Sequence, residues 1–267
     1  MSNTITIAKK ELSVYLATPM AWIVFTGMSF ISSLAFLVAL VDFKRVQDLA
    51  RQYGWQALPP DMQTYRNLTD GVVVGLFGFV LIITLFATPF LSMRLIAEER
   101  RQKTFELLMT TPTRGIDIVL GKYLGALAAI VLTLSVTLVY PLILSLVGSS
   151  ESGSAVEWST VGLAYLALTL FGATCMAVGV FVSSLTDSQI VAGVITMAIL
   201  LVWWFAPGLL IGLDEPIRSI ALYLSFNNQV TNLMKGVLDL KPIVYFLSII
   251  ALFLLLTHRS VEARRWA

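Results

Sequence analysis

The sequence predicts an all-α membrane protein with six transmembrane helices, and three observations carry that prediction. Six apolar stretches hold no charged side chain, one densely charged segment (94–122) separates the second from the third, and lysine and arginine concentrate on the side where both termini fall. Of the 267 residues, 57% are hydrophobic and only 13% charged, with a mean hydropathy of +0.84. A soluble globule carries about 25% charged residues.

The uncharged stretches are 20–41, 71–93, 124–147, 161–185, 190–211 and 242–257. About 20 apolar residues cross the hydrocarbon core as a helix, and five of the six reach that length. The sixth, roughly 24 Å if helical, is expected to extend through Thr257 and His258 or to begin within 238–241. Barrel strands are excluded by length and by the lack of polar alternation. With the N-terminus inside, 11 lysines and arginines fall on inner segments and 7 on outer loops. By the positive-inside rule both termini are expected in the cytoplasm.

Ahead of the first span, 4–17 reads as an amphipathic helix, with Ile5, Ala8, Leu12, Tyr15 and Leu16 on its apolar stripe. It is expected to lie in the membrane interface, within 1–19. The first apolar stretch is too long for a signal peptide and lacks a cleavage site, so it reads as a retained helix. Residues 42–70 form an outer loop with a small helix near 46–53, and 146–160 form a Gly/Ser-rich outer connector. A tight inner turn is expected at 186–189. Trp203 and Trp204 fall toward the outer end of the fifth span, near the aromatic belt. Tyr140-Pro141 should kink or break the third span. Gly71 with Gly75, Gly121 with Gly125 and Ala173 with Ala177 have helix-packing spacing. Between the fifth and sixth spans, 212–241 reads as two short amphipathic outer helices. Val230, Leu233, Met234, Val237 and Leu238 make the stronger stripe, and Ile217, Ile220, Ala221 and Leu224 the weaker. Phe226, Asn227 and Asn228 divide them. Together with Val230, Leu233 and Met234 they form either an outer gate or an interfacial cap.

Chemistry is conspicuous by what the spans omit. Membrane enzymes and proton-coupled carriers place ionisable groups within the bilayer, and these spans hold none. His258, the single histidine, stands at the inner end of the last span with no partner acid read near it. Cys175 is a buried packer, and a net charge of +2 implies no nucleic-acid partner. Gly121-Lys122-Tyr123 is not a phosphate-binding loop, because Ile116 and Tyr123 occupy its required glycine and hydroxyl positions. No catalytic, cofactor or metal residue is assigned.

The charged segment has its own local logic. Residues 94–109 should continue the second span as a helix with Phe105, Leu108 and Met109 on one face and a Glu99–Lys103 pair at i, i+4. Thr111 caps a second helix with Pro112 at its first position, leading through Ile116, Val119, Leu120 and Tyr123 into the third span. The result is a cytoplasmic helix-turn-helix elbow.

This segment resembles the signature of the permease subunits of type-2 ABC exporters, whose elbow has the form E-E-[KR]-x-x-G-T-x-E-x-L-x-x-[ST]-P. The matching residues are Glu98-Glu99-Arg100, Thr104, Glu106, Leu108, Thr111 and Pro112, followed by Val119-Leu120-Gly121-Lys122. Lys103 stands where the family often has glycine. Gly236-Val237-Leu238-Asp239-Leu240, Val244-Tyr245-Phe246-Leu247-Ser248 and Arg264-Arg265-Trp266 are similar to the ending of the Gld-type and Nos-type permeases. The resemblance spans nearly the whole chain, 1–267, as one permease domain. It implies a multi-pass protein of the bacterial inner membrane that pairs with a second copy or paralogue among membrane lipid. Separate ABC ATPase subunits, which bind the ATP and Mg, would dock on the elbow (Glu98, Glu99, Arg100, Thr104, Glu106, Leu107, Leu108, Thr111, Pro112) and the N-terminal helix. The chain itself would be non-catalytic and would export an amphipathic, lipid-linked or other envelope substrate. The Nos-type likeness admits a second reading, in which hydrolysis transmits force to a periplasmic or membrane accessory protein without moving a solute.

Overall fold

The computed structural model describes residues 2–104, 114–147, 156–209, 215, 219, 223–234 and 236–263. Among them all regular structure is helical. In chain order the α-helices are α1 (Ser2–Ala17), α2 (Pro19–Tyr53), α3 (Gly75–Ser92), α4 (Ala97–Arg101), α5 (Gly115–Val136), α6 (Val139–Val147), α7 (Trp158–Leu185), α8 (Gln189–Leu209), α9 (Phe226–Met234) and α10 (Leu240–Ala263). Five segments are long and apolar enough to cross a membrane: Pro19–Tyr53, Thr69–Arg101, Gly115–Leu146, Trp158–Leu185 and Leu240–Ala263. The apolar α8 is the shorter companion of these, and α10 extends the last uncharged stretch at both ends, as its length required.

Helix α7 is the axis of the bundle. It is buried along most of its length and packs against α3, α5, α8, α9 and α10. Its small residues make this possible. A Cβ on Gly172 would stand 3.0 Å from Ile130 of α5, and one on Gly179 would collide with Ser92 of α3. Ala173 and Ala177 lie buried on the same helix, while of the Gly71–Gly75 pair only Gly71 meets close neighbours, Phe43 and Tyr65.

Pro19 explains the first corner. It holds Thr18 extended and opens α2 at a position where no amide donor is needed. Thr18 Oγ1 donates to the Val14 carbonyl at 2.5 Å, satisfying an end group of α1. Helix α2 then runs unbroken to Tyr53 and stops at Gly54, whose φ of 82° favours glycine. The small separate helix expected near 46–53 is therefore the far end of the first span. Turns at Trp55–Ala57 and Pro60–Arg66 fold back on it, and Val46, Ala50 and Leu58 form a small core with Trp55, Met62 and Tyr65.

The third span breaks as Pro141 demands. The Thr137, Leu138 and Tyr140 amides donate three residues back, to Leu134, Ser135 and Thr137, so the chain tightens before α6 begins. Side chains hold the break in place. Tyr165 OH lies 2.5 Å from Thr137 Oγ1, Tyr140 OH lies 2.9 Å from Ser33 Oγ, and the Tyr140 ring packs on Phe36.

Helix α1 docks on α5 through the glycine pair. A Cβ on Gly121 would reach 2.7 Å from Ile7, and one on Gly125 would reach 2.5 Å from Glu11 Cβ and 2.9 Å from the Ala8 carbonyl. Thr4 Oγ1 donates to Asp117 Oδ1 at 2.9 Å, so the two helices run in the same direction. The contact face on α5 is Thr4, Ile7, Ala8 and Glu11, and Tyr15, one turn on, is buried against Leu91 and Arg94. Ile5 and Leu16, expected on the same stripe as Ala8 and Tyr15, are exposed instead. Backbone approach at the glycines selected the face, overriding the sum of apolar side chains.

Gly125→Val should push α1 away from α5, at an overpacking cost of about 1–3 kcal/mol. Trypsin should then cleave at Lys9 and Lys10 faster than in the wild type. An unchanged cleavage rate would show that the glycine pair does not hold α1.

Candidate functional site

The docked α1 brings Glu11 over Lys122, and the charged segment brings Glu99 to the same point. Lys122 Nζ lies 2.9 Å from Glu11 Oε1 and 2.8 Å from Glu99 Oε1, and the lysine is 1% exposed. A lone ammonium buried so deeply would carry a large desolvation penalty; here two carboxylates from different helices surround it. Glu99 was expected to pair with Lys103, but it turns inward to Lys122 because the backbone does not remain helical.

The second span also does not continue unbroken over 94–104; residues 105–109 lie outside the described residues. Helix α3 ends at Ser92, 93–96 are turns, and α4 is a single short helix. Ser183 of α7 is the cause. Its hydroxyl accepts from the Ile96 and Ala97 amides at 3.1 and 3.0 Å and donates to the Met93 carbonyl at 3.0 Å. A side chain from another helix thus takes the bonds that would have carried the span onward and caps α4. Arg100 fastens the other end of α4. It donates to the Ser184 carbonyl at 2.7 Å and pairs with Asp187 Oδ1 at 3.0 Å in the short turn between α7 and α8.

Beyond α4 the chain turns at Lys103, whose φ of 57° is left-handed. This is the position where glycine was expected from the resemblance, and the backbone there adopts the conformation glycine favours. Thr104 Oγ1 donates to the Glu99 carbonyl at 3.2 Å, and Glu98 accepts from Gln102 at 3.3 Å. Glu106, Leu107, Leu108, Thr111 and Pro112 lie outside the described residues.

Arg94 stacks over the Tyr15 ring, with Cζ 4.3 Å from its centroid. The Tyr15 hydroxyl donates to the Leu91 carbonyl at 2.7 Å. Burial pushes this phenol well above its ordinary pKa, and the Arg94 charge opposes the shift only in part. Tyr15 therefore remains a neutral donor. Between α1 and the charged segment lies a cleft of about 500 Å³.

At the opposite end, Phe226, Val230, Leu233 and Met234 are buried on α9 and pack against α7, whereas Asn227 and Asn228 are exposed. Ser225 Oγ accepts from the Asn228 amide at 3.4 Å as the N-cap. Trp203 is half-buried and packs on α9. Its ring stacks on Phe226 at 4.5 Å and its Nε1 donates to the Leu224 carbonyl at 2.7 Å. Trp204 packs edge-on against Phe171. Of the weaker stripe, Ile217, Ile220 and Ala221 lie outside the described residues. His258 does have an acidic partner: Glu262, one turn on, at 3.5 Å from its Nε2.

Glu11, Lys122, Ser183 and Asp187 were not singled out from the sequence as site residues. One signal for the first two was available. Lys122 adjoins a glycine of a close-packing pair, and Glu11 is the one acid of 1–19, so a docked α1 makes them partners. Nothing local marks Ser183.

Lys122→Met should leave two carboxylates facing each other and destabilise the fold by about 3–5 kcal/mol, read as a lower melting temperature in detergent. Adding Glu11→Gln and Glu99→Gln should recover most of the loss; no recovery would show that the methionine fits badly and that charge is not the cause. Lys103→Gly should raise stability by about 1 kcal/mol by removing a left-handed lysine, and a lower melting temperature would contradict the strain.

Comparison with known protein families matches residues 5–262 to the ABC-2 family transporter protein. Comparison with curated proteins finds no significant match. The family match takes in the long apolar segments to within one residue of the last one's end, the short α8 and the charged hub between α1, α4, α5 and α7. The chain belongs to the ABC-2 family of transporter proteins, as a membrane-spanning permease component of an ABC transporter.

Proposed function

We propose that this permease spans the bacterial inner membrane six times, with α1 in the cytoplasmic interface, and that a separate ABC ATPase drives it through the charged segment. The carrying observation is how α4 is fastened. Arg100 ties it to the α7–α8 turn and Glu99 ties it to Lys122 of α5, which also holds Glu11 of α1. A displacement of this short helix is delivered at once to the bundle axis, the third span and the N-terminal helix. Nucleotide and Mg belong to the ATPase, and two permeases pair so that two ATPases close beneath them.

The cargo is amphipathic or lipid-linked. Support comes from a cavity of about 360 Å³ on the side of the bundle near α9. Gly75 and Gly78 leave open space on its α3 wall, Trp204 lines another side, and Asn227 and Thr231 supply polar groups. Among the described residues no charged side chain lines it, which suits an apolar body with an uncharged polar head. Helix α9 closes the bundle beside this cavity as the outer gate, with Phe226, Val230, Leu233 and Met234 as its seated face.

The test is co-purification of the chain with its ATPase, followed by ATPase and transport assays in lipid. Glu106→Lys and Pro112→Leu should each uncouple hydrolysis from export while leaving membrane insertion intact. Normal transport by both would refute the assignment of the coupling role to this segment.

A further inference from the structure

A narrow apolar groove of about 280 Å³ runs between α2 and α3. The two helices are antiparallel neighbours. Tyr15, just ahead of α2, bonds Leu91 at the end of α3, and Phe43 of α2 lies against Gly71, just before α3. Ile23, Gly27 and Ile31 recur along one wall and Ile83, Ala87 and Phe90 along the other, at helical spacing. Among the described residues, all that line the groove are apolar. Gly27 makes the hollow: a Cβ there would meet nothing within 4 Å, so no protein atom fills the dent in α2. Met28 and Ala87 are buried at the floor, while Ile23, Ile31, Phe86 and Phe90 stand exposed as the rims.

Length and width decide what fits. Both walls lie in segments long and apolar enough to cross a membrane. From Met20 to Ile31 the groove follows α2 for about 16 Å, half of a hydrocarbon core of about 30 Å. Its near end is the corner where α1 gives way to α2. There the exposed Trp22 donates from Nε1 to the Leu16 carbonyl at 2.7 Å, an apolar ring with a satisfied polar end that suits the membrane surface. The groove therefore starts at headgroup depth and ends near the midplane, which is the reach of one acyl chain in one leaflet. Its volume holds about nine groups the size of a water, which is roughly the size of a methylene. A helix with its side chains is about 10–12 Å across and cannot enter between two helices already packed together.

We propose that this groove is a binding site for one acyl chain of a bilayer phospholipid, drawn from the leaflet on the α1 side. Hydrophobicity alone does not select the site, since lipid tails are as apolar as leucine. Contact does. A chain lying on a convex helix face touches protein along one side, whereas a chain in the groove meets the floor and both walls, and dispersion attraction accumulates with each contact. An acyl chain also carries no polar atom that these walls would leave unsatisfied. The site is distinct from the cavity beside α9, whose lining includes Asn227 and Thr231, and its lipid is a resident of the fold and not the cargo. Once seated, the chain fills the dent at Gly27 and becomes part of the packing between α2 and α3.

The experiment photolabels the full chain in phosphatidylethanolamine and phosphatidylglycerol vesicles that carry a trace phospholipid with a diazirine in one acyl chain. Native mass spectrometry after detergent extraction then counts the phospholipid retained. Adducts should concentrate on Ile23, Ile31, Phe86 and Phe90, about tenfold over Trp22 and Phe30, which are exposed at the same depth of α2 outside the groove. Gly27→Leu and Gly27→Phe fill the hollow from a position with no protein atom in the way, and each should lower groove labelling and lipid retention by about tenfold. Leu37→Phe, on an exposed part of α2 beyond the groove, should leave both within about twofold of the wild type. Adducts spread evenly over the exposed apolar residues of α2 would overturn the site, as would wild-type retention in both filled variants. Loss of a dimer in those variants with an unchanged lipid count would give the groove to a second copy instead. Retained phospholipid that leaves in step with ATP hydrolysis once the ATPase is added would be cargo, and would overturn a resident lipid.

Discussion

The buried ammonium of Lys122 is the constraint around which the cytoplasmic half of this molecule is arranged. A charge that is 1% exposed has to be answered within a few ångströms. The two carboxylates that answer it come from α1 and α4, neither of which is held by the membrane-spanning bundle alone. Placing the lysine on α5 therefore determines where both peripheral helices sit. The glycines at 121 and 125 serve the same end, since they bring α1 close enough for Glu11 to reach. Replacing such an ion cluster by apolar residues is often neutral for stability. Its value here is positional: it joins three helices at one atom.

Much of the fold was legible because the bilayer is a strict solvent. Long uncharged runs mark the spans, and Pro141 marks the break in the third, since an absent amide is a local fact. The charged segment was legible as a segment, but its first part, 94–104, is not the unbroken helix expected. Its helix stops because the Ser183 hydroxyl, 87 positions away from Ile96, takes the backbone bonds. The Glu11–Lys122 pair spans 111 positions. Periodicity reports which face is apolar, but not which face a neighbour approaches. Thus Ile5 and Leu16 stay exposed on α1 while Tyr15 is buried, and Trp203 stacks on Phe226.

Lys103 shows the reverse case. Its left-handed backbone is invisible to any propensity argument, because lysine is a sound helix former. The resemblance nevertheless marks the place, as the aligned position often carries the residue that tolerates such a turn. The turn geometry survives where its usual residue does not, so Thr104 can still bond the Glu99 carbonyl.

Helix α2 has a consequence of a different kind. Its 35 residues make a rod of about 52 Å, against a hydrocarbon layer of about 30 Å. Some 20 Å of it stands clear of the lipid, buttressed by the small core around Val46, Ala50 and Leu58. A stiff rod amplifies rotation: about 10° of tilt at its base sweeps the far end through roughly 9 Å. A slight rotation of α2 within the packed helices would thus be written large at Arg51, where the molecule carries its own pointer.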